Sequence, residues 1–193
     1  MGRHKTISND ELLDVARRMF REKGHTTTTR EIAEAAGISE AVLYQRFAGK
    51  DELFFAAMHA RGPDIEQILG PIDPTGEALA YLRGVVVRMG KYFADVIPLA
   101  LRVMTHPSFD AAALKHMQPG SSRVLQEGVA KRLMSLARRK LIRPQSESAA
   151  AGLLVSLAHD WALRHALTHG ATPLRDRELA DMVDVVWHGI QAR

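Results

Sequence analysis

The sequence predicts an all-α fold in two parts: an N-terminal helix-turn-helix domain of three to four helices, residues 1–62, and a larger helical domain, residues 63–193. Three observations lead there. Apolar residues recur at helical spacing along the whole chain, and no segment shows the strict alternation of a half-buried strand. Two short helical patterns flank an Ala36-Gly37-Ile38-Ser39 turn, in which Gly37 suits left-handed backbone and Ser39 suits the cap of the next helix. Pro107, Pro119, Pro144 and Pro173 all fall between helical segments.

The first helix opens on a capping box, Ser8 with Glu11. It carries Leu12, Leu13, Ala16, Met19 and Phe20 on one face and stops at Lys23-Gly24. Thr28 and Glu31 form a second capping box for a helix reaching Ala36. A third helix is expected over Glu40–Phe47, and a fourth from Lys50 with Leu53, Phe54, Ala57 and Met58. Gly70-Pro71-Ile72-Asp73-Pro74 is a turn-rich break. Beyond it helices are expected over Thr75–Asp95, Pro98–Met104, Ser108–Met117, Ser121–Lys140, Glu147–Leu167 and Leu174–Gln191. Val85-Val86-Val87 is β-branched but lies within helical spacing.

Composition narrows the class. Lys and Arg number 26 against 22 Asp and Glu, a formal charge of +4 that leans mildly toward polyanions. Hydrophobic residues make up 46%, enough for a proper core. The absence of cysteine excludes disulfides and thiolate metal sites. No apolar segment follows the basic start, so no secretory signal is expected and the cytoplasm is the expected compartment. The longest apolar run, Ala149–Ala158, is about half the ~20 residues a membrane span needs.

The third helix is too short to serve packing alone. Its open face carries Glu40, Ala41, Tyr44 and Gln45, which leave room for a base edge or reach toward one, as expected of a helix entering the major groove. These residues also carry a family likeness. Met19-Phe20-Arg21-Glu22-Lys23-Gly24, Thr28-Thr29-Arg30-Glu31-Ile32-Ala33, Ala36-Gly37-Ile38-Ser39, Val42-Leu43-Tyr44, Phe47 and Lys50-Asp51-Glu52-Leu53 together resemble the TetR family of bacterial transcription regulators. The resemblance covers about the first 60 residues. The loop from Gly24 to the threonine pair is one residue shorter than the family's usual, leaving the phosphate-contacting threonine open between adjacent positions.

The resemblance implies that Thr28 and Thr29 donate to phosphates at a helix N-terminus and that Arg30 reaches a phosphate or a guanine edge. Tyr44 and Lys50 match the family's phosphate-contacting tyrosine and lysine, while Ser39 caps the reading helix. Gln45 suits adenine and Arg46 suits guanine or a phosphate. Ala41 permits close approach to a thymine methyl, and Glu40 either accepts from cytosine N4 or points away. Leu43 and Phe47 are core.

Leu153, Leu154, Leu157, Ala158, Trp161 and Leu163 place apolar surface on more than one face of their helix. Leu179, Met182, Val183, Val186 and Ile190 form a stripe on the last helix, with Val185 and Trp187 outside it. The resemblance implies that these two helices build a homodimer, with Leu153, Leu157, Trp161, Met182, Val186 and Ile190 in its interface. The remaining helices, roughly Thr75–Lys140, are expected to enclose an effector cavity. Tyr92, Phe93, Leu101, Met104 and Leu125 are its candidate lining, joined by Val87, Met89 and Leu133, with His106 and His116 as polar anchors. The expected ligand is small and largely apolar.

The resulting reading is a ligand-responsive regulator, a repressor by expectation, binding a palindromic double-stranded DNA operator as a homodimer, without cofactor or membrane partner. One alternative is a DNA-binding regulator controlled by a protein partner. Another is a metal-dependent helical enzyme using His159, Asp160, His165 and His169, which lack a third ligand at suitable spacing and an adjacent catalytic glutamate. No glycine-rich phosphate loop, paired catalytic carboxylates or nucleophile elbow accompanies them, and no enzyme activity is expected.

Overall fold

The computed structural model of the chain describes residues 7–59, 62–72, 77–109, 121–143, 146–168 and 175–190. Among these run α1 (Asn9–Lys23), α2 (Thr29–Ala36), α3 (Glu40–Tyr44), α4 (Lys50–Met58), α5 (Ile65–Leu69), α6 (Ala78–Met104), α7 (Ser121–Arg138), α8 (Glu147–Leu167) and α9 (Asp176–Ile190), with a 3-10 turn at Gly24–Thr26. No described residue lies in a β-strand. Contacts divide the chain into two units, Met1–Ala60 with Leu99–Met117, and Arg61–Pro98 with Gln118–Arg193.

In the first unit, local chemistry starts α1 and α2. Ser8 Oγ accepts from the Glu11 amide at 3.2 Å while Glu11 accepts from the Ser8 amide at 2.8 Å, so two otherwise orphaned donors are satisfied. Thr28 and Glu31 repeat the arrangement at 3.2 and 2.8 Å. The apolar stripes then meet: Leu12, Phe20, Ile32, Leu43, Leu53 and Met58 are fully or almost fully buried, and Phe54 meets Phe20 edge-on at 5.1 Å. Leu99 and Val103, from the last turns of α6, complete this core.

Two arginines close helix ends in this unit. Arg17 Nε donates to the Ala57 carbonyl at 2.7 Å, at the end of α4. Arg102 donates to the Phe20 and Arg21 carbonyls at 3.2 and 2.7 Å, at the end of α1. Both place a cation at the carbonyl end of a helix, and at α1 the Phe20 carbonyl also accepts from the Gly24 amide.

The second unit stacks α5 on α7, α7 on α8 and α8 on α9. Gly90 of α6 sits so close to its neighbours that an added methyl would lie 2.7 Å from Leu179 and 3.1 Å from the Trp161 ring. Arg88 closes α5 by donating to the Ile68 and Leu69 carbonyls at 2.6 and 3.2 Å. Arg83 of α6 grips Asp184 of α9 with both donors at 2.6 Å. That grip holds the Asp184 carboxyl below its usual range and raises the Arg83 guanidinium.

Four boundaries differ from those the sequence suggests. The helix expected over Glu40–Phe47 ends at Tyr44, where the chain tightens as the Arg46 amide donates to the Leu43 carbonyl at 3.0 Å. The five-residue α5, capped by Asp64 through the Gln67 amide at 3.0 Å, has too few turns to announce itself by periodicity. The break expected before Pro98 is absent: α6 continues through it. Packing overrides the local rule there, since Phe93, Ile97, Leu99 and Val103 are all buried around the proline. The first unit also takes in Leu99–Met117, beyond the continuous domain the sequence suggests. Ser108 and Phe109 are not helical, and residues 110–120 lie outside the described residues, as do Thr75, Leu174 and Gln191.

Candidate nucleic-acid interface

Helix α2 ends at Gly37, whose φ of 70° and ψ of 29° are left-handed, and its amide closes back onto Ala33 and Glu34. Ser39 then caps α3 by accepting from the Val42 amide at 3.3 Å. The turn is therefore written into three residues. Leu43 and Phe47 hold the inner side of α3 in the core, while Ala41, Tyr44 and Gln45 are exposed.

Thr28 is exposed and spends its hydroxyl within its own capping box, donating to Glu31 at 3.0 Å. Thr29, 7% exposed, instead faces α3, with Glu40 Oε1 at 2.5 Å and the Tyr44 hydroxyl at 3.1 Å. Glu40 thus does not point away: it is half-buried and tied to Thr29. Arg30 is exposed and paired along α2 with Glu34 at 3.1 Å.

Two expected DNA contacts have internal partners. Arg46 donates to the Ile7 carbonyl at 2.8 Å and to Asn9 at 3.3 Å, fastening the end of α3 to the start of α1. Lys50 donates to the His25 carbonyl, fastening the head of α4 to the turn before α2. Thr27, which the sequence reading passed over, is fully buried and donates to Gly24 at 3.0 Å. Its neighbours in the threonine run share its composition, so only burial separates it from them. Beside it, Glu31 accepts from Lys23 at 2.8 Å. Together with the Thr28 amide, that ammonium lowers the Glu31 carboxyl from 4.5 to about 2 and raises Lys23.

The described effector candidates are divided between the two units. Phe93 and Leu125 are buried in the second unit's core, and Tyr92 is half-buried with its ring 5.4 Å from Phe93. Leu101, Met104 and His106 belong to the first unit. There His106 stacks on Phe54 at 4.3 Å and accepts from the Ser108 amide at 3.2 Å, while Met104 is exposed. Met89 and Leu133 are fully buried and Val87 half-buried, whereas His116 lies outside the described residues.

A different recess marks the second unit. Pro71, Ile72, Glu77, Ala78, Ala80, Tyr81 and Leu136 line a space of about 200 Å³. The Tyr81 hydroxyl is enclosed without a hydrogen-bond partner among the described residues. Burial raises this phenol above its ordinary range, opposed by the charges of Arg132 and Arg88. Nothing in the sequence distinguishes Tyr81 from a core tyrosine at helical spacing.

Of the expected dimer residues, Leu153 is 49% exposed, and Leu157, Met182 and Val186 are half-buried. Val185 stands 76% exposed beside them. Trp161 is a correction: it is buried within its own chain, against Gly90. The Ile190 side chain and His169 lie outside the described residues. No group of three metal-ligating side chains is found among the described residues, and no described helix is long and apolar enough to cross a membrane.

Comparison with known proteins agrees with this geometry. Residues 12–57 match the family of bacterial regulatory proteins described as the tetR family. The chain is 39% identical over 82 residues to the HTH-type transcriptional repressor KstR2 of Mycobacterium tuberculosis, a match covering 38% of each chain. It is 27% identical over 161 residues to the HTH-type transcriptional regulator HbdR of an Aromatoleum species, covering 80% of this chain and 69% of the relative. Across 95% of its length it shares the fold of a TetR-family regulator structure from Mesorhizobium loti, with a TM-score of 0.74 at 17% identity and 96% of that chain covered. A matched N-terminal domain on a shared full-length fold leads to one conclusion: residues 12–57 form a domain of the tetR family of bacterial regulatory proteins, in a chain with the fold of TetR-family regulator structures.

Proposed function

We propose that the protein is a ligand-responsive transcriptional repressor that binds a palindromic DNA operator as a homodimer. The observation that carries this is the α2–turn–α3 geometry. Buried Leu43 and Phe47 fix a short helix whose opposite face offers Ala41, Tyr44 and Gln45 to solvent. Arg30, Thr28 and Lys50, each with an internal partner, surround that face with groups suited to phosphate oxygens. Arg46 acts in this reading mainly as a brace.

Two copies would present two reading helices about 34 Å apart, matching successive major grooves. The apolar residues left exposed on α8 and α9, Leu153 and Val185 above all, support pairing through those helices. The recess at Tyr81 supports a small, largely apolar effector with one group that accepts from the phenol. Release follows if the ligand prefers a dimer whose reading helices no longer fit the duplex. A differential affinity of about 1–3 kcal/mol changes operator binding roughly 5–150-fold.

Selection of binding sites from random duplex DNA at near-physiological salt tests the reading. An enriched inverted repeat is the expected result. A folded protein that enriches no sequence would overturn it.

A further inference from the structure

The bond between Thr29 and Glu40 has a direction. A carboxylate has no proton to give, so the proton in the 2.5 Å contact belongs to Thr29. A threonine hydroxyl has a single proton, so in the 3.1 Å contact Tyr44 donates and Thr29 accepts. The chain therefore runs Tyr44 to Thr29 to Glu40. Both hydroxyl protons are drawn inward, and the chain ends on a negative charge at the first position of α3.

That location conflicts with simple phosphate binding. Hydroxyls at the heads of such helices ordinarily donate to phosphate oxygens. Here their protons are already spent on a carboxylate, and a charge-assisted bond of this kind is stronger than a neutral one. A phosphate arriving at Thr29 must displace Glu40 and meets like charge as it does so. Glu34 also carries a carboxylate, but it is paired with Arg30 on the outer side of α2.

Resting on the DNA-binding reading above, we infer that Glu40 is a specificity determinant that weakens binding to duplex DNA in general. Its carboxylate holds the Thr29 hydroxyl and repels phosphates, so only a site whose base contacts compensate is retained. Specificity is a difference of affinities, and lowering the non-specific one widens it. Glu40 need touch no base to do this.

Glu40→Gln tests the inference, because the amide oxygen can still accept from Thr29 while the charge is gone. Wild type, E40Q and E34Q, each checked for folding by circular dichroism, are titrated with the selected operator and with an unrelated duplex of equal length. The expected result is that E40Q binds the unrelated duplex about tenfold tighter and gains less on the operator, narrowing the ratio between them. E34Q leaves the ratio unchanged, and site selection with E40Q returns the wild-type sequence. An unchanged ratio in E40Q overturns the inference, as does an equal change in E34Q, which would reduce the effect to net charge. A preference altered at one base pair also overturns it, since Glu40 would then read a base. If wild type itself selects no sequence, the DNA-binding reading fails before the variants are compared.

Discussion

Gln45 and Glu31 show how differently two exposed side chains of one small unit can matter. Gln45 stands on the open face of α3, one position beyond Tyr44, and the only chemistry it offers is its amide. Replacing it with alanine should relax base choice at one position in each half-site and leave affinity for unrelated DNA unchanged, as site selection with the variant would read. Glu31 works inward, joining the cap of α2 to Lys23. Its folded carboxyl titrates near 2 rather than 4.5, so the stabilisation is complete above about 4.5 and is lost as pH falls toward 2. Urea unfolding should therefore show wild type more stable than Glu31→Gln at pH 6, with the gap shrinking by pH 3. The pair is exposed, so added salt should narrow the gap as well.

At the scale of the element, the turn between α2 and α3 depends on backbone geometry more than on contacts. A methyl group at Gly37 would meet nothing within 4 Å, yet its φ is 70°. Gly37→Ala should cost about 1 kcal/mol through the left-handed conformation alone, and Gly37→Asn less, because asparagine tolerates that region better. Thermal unfolding of the two variants side by side would separate this from any packing effect. Such features were legible in the sequence because they span three or four residues: Ser8 with Glu11, Thr28 with Glu31, and Ser39 before Val42. Arg17, Arg88 and Arg102 were not, for each closes a helix end that lies 19 to 82 residues away. Pro98 misled for the same reason, as the packing that keeps α6 helical around it is non-local. The site divided along the same line. Exposure of Ala41, Tyr44 and Gln45 could be read from the spacing of Leu43 and Phe47, while the partners taken by Glu40, Arg46 and Lys50 could not.

The whole molecule leaves apolar side chains uncovered on its last two helices. Leu153 and Val185 are strongly exposed, and Leu157, Met182 and Val186 flank them half-buried. Sedimentation should find the wild type dimeric and a Leu153→Glu, Val185→Glu double variant shifted toward monomer. Operator affinity should fall with it, since one reading unit contacts only one half-site, while the circular dichroism of the monomer stays helical. A dimer unaffected by the two charges would place the interface elsewhere.

The core of the first unit is drawn from two separate stretches of chain, residues before 60 and the end of α6 with the residues just after it. Leu99 and Val103 fill it, and Arg102 finishes α1. A recombination event that cut this gene once, near codon 60, would deliver a first unit missing part of its own interior. New combinations of the two units are then better reached by substitution within an intact chain than by shuffling of modules. The same holds at the bench: a chimera that grafts the first unit onto another chain has to carry the end of α6 along with the first 60 residues.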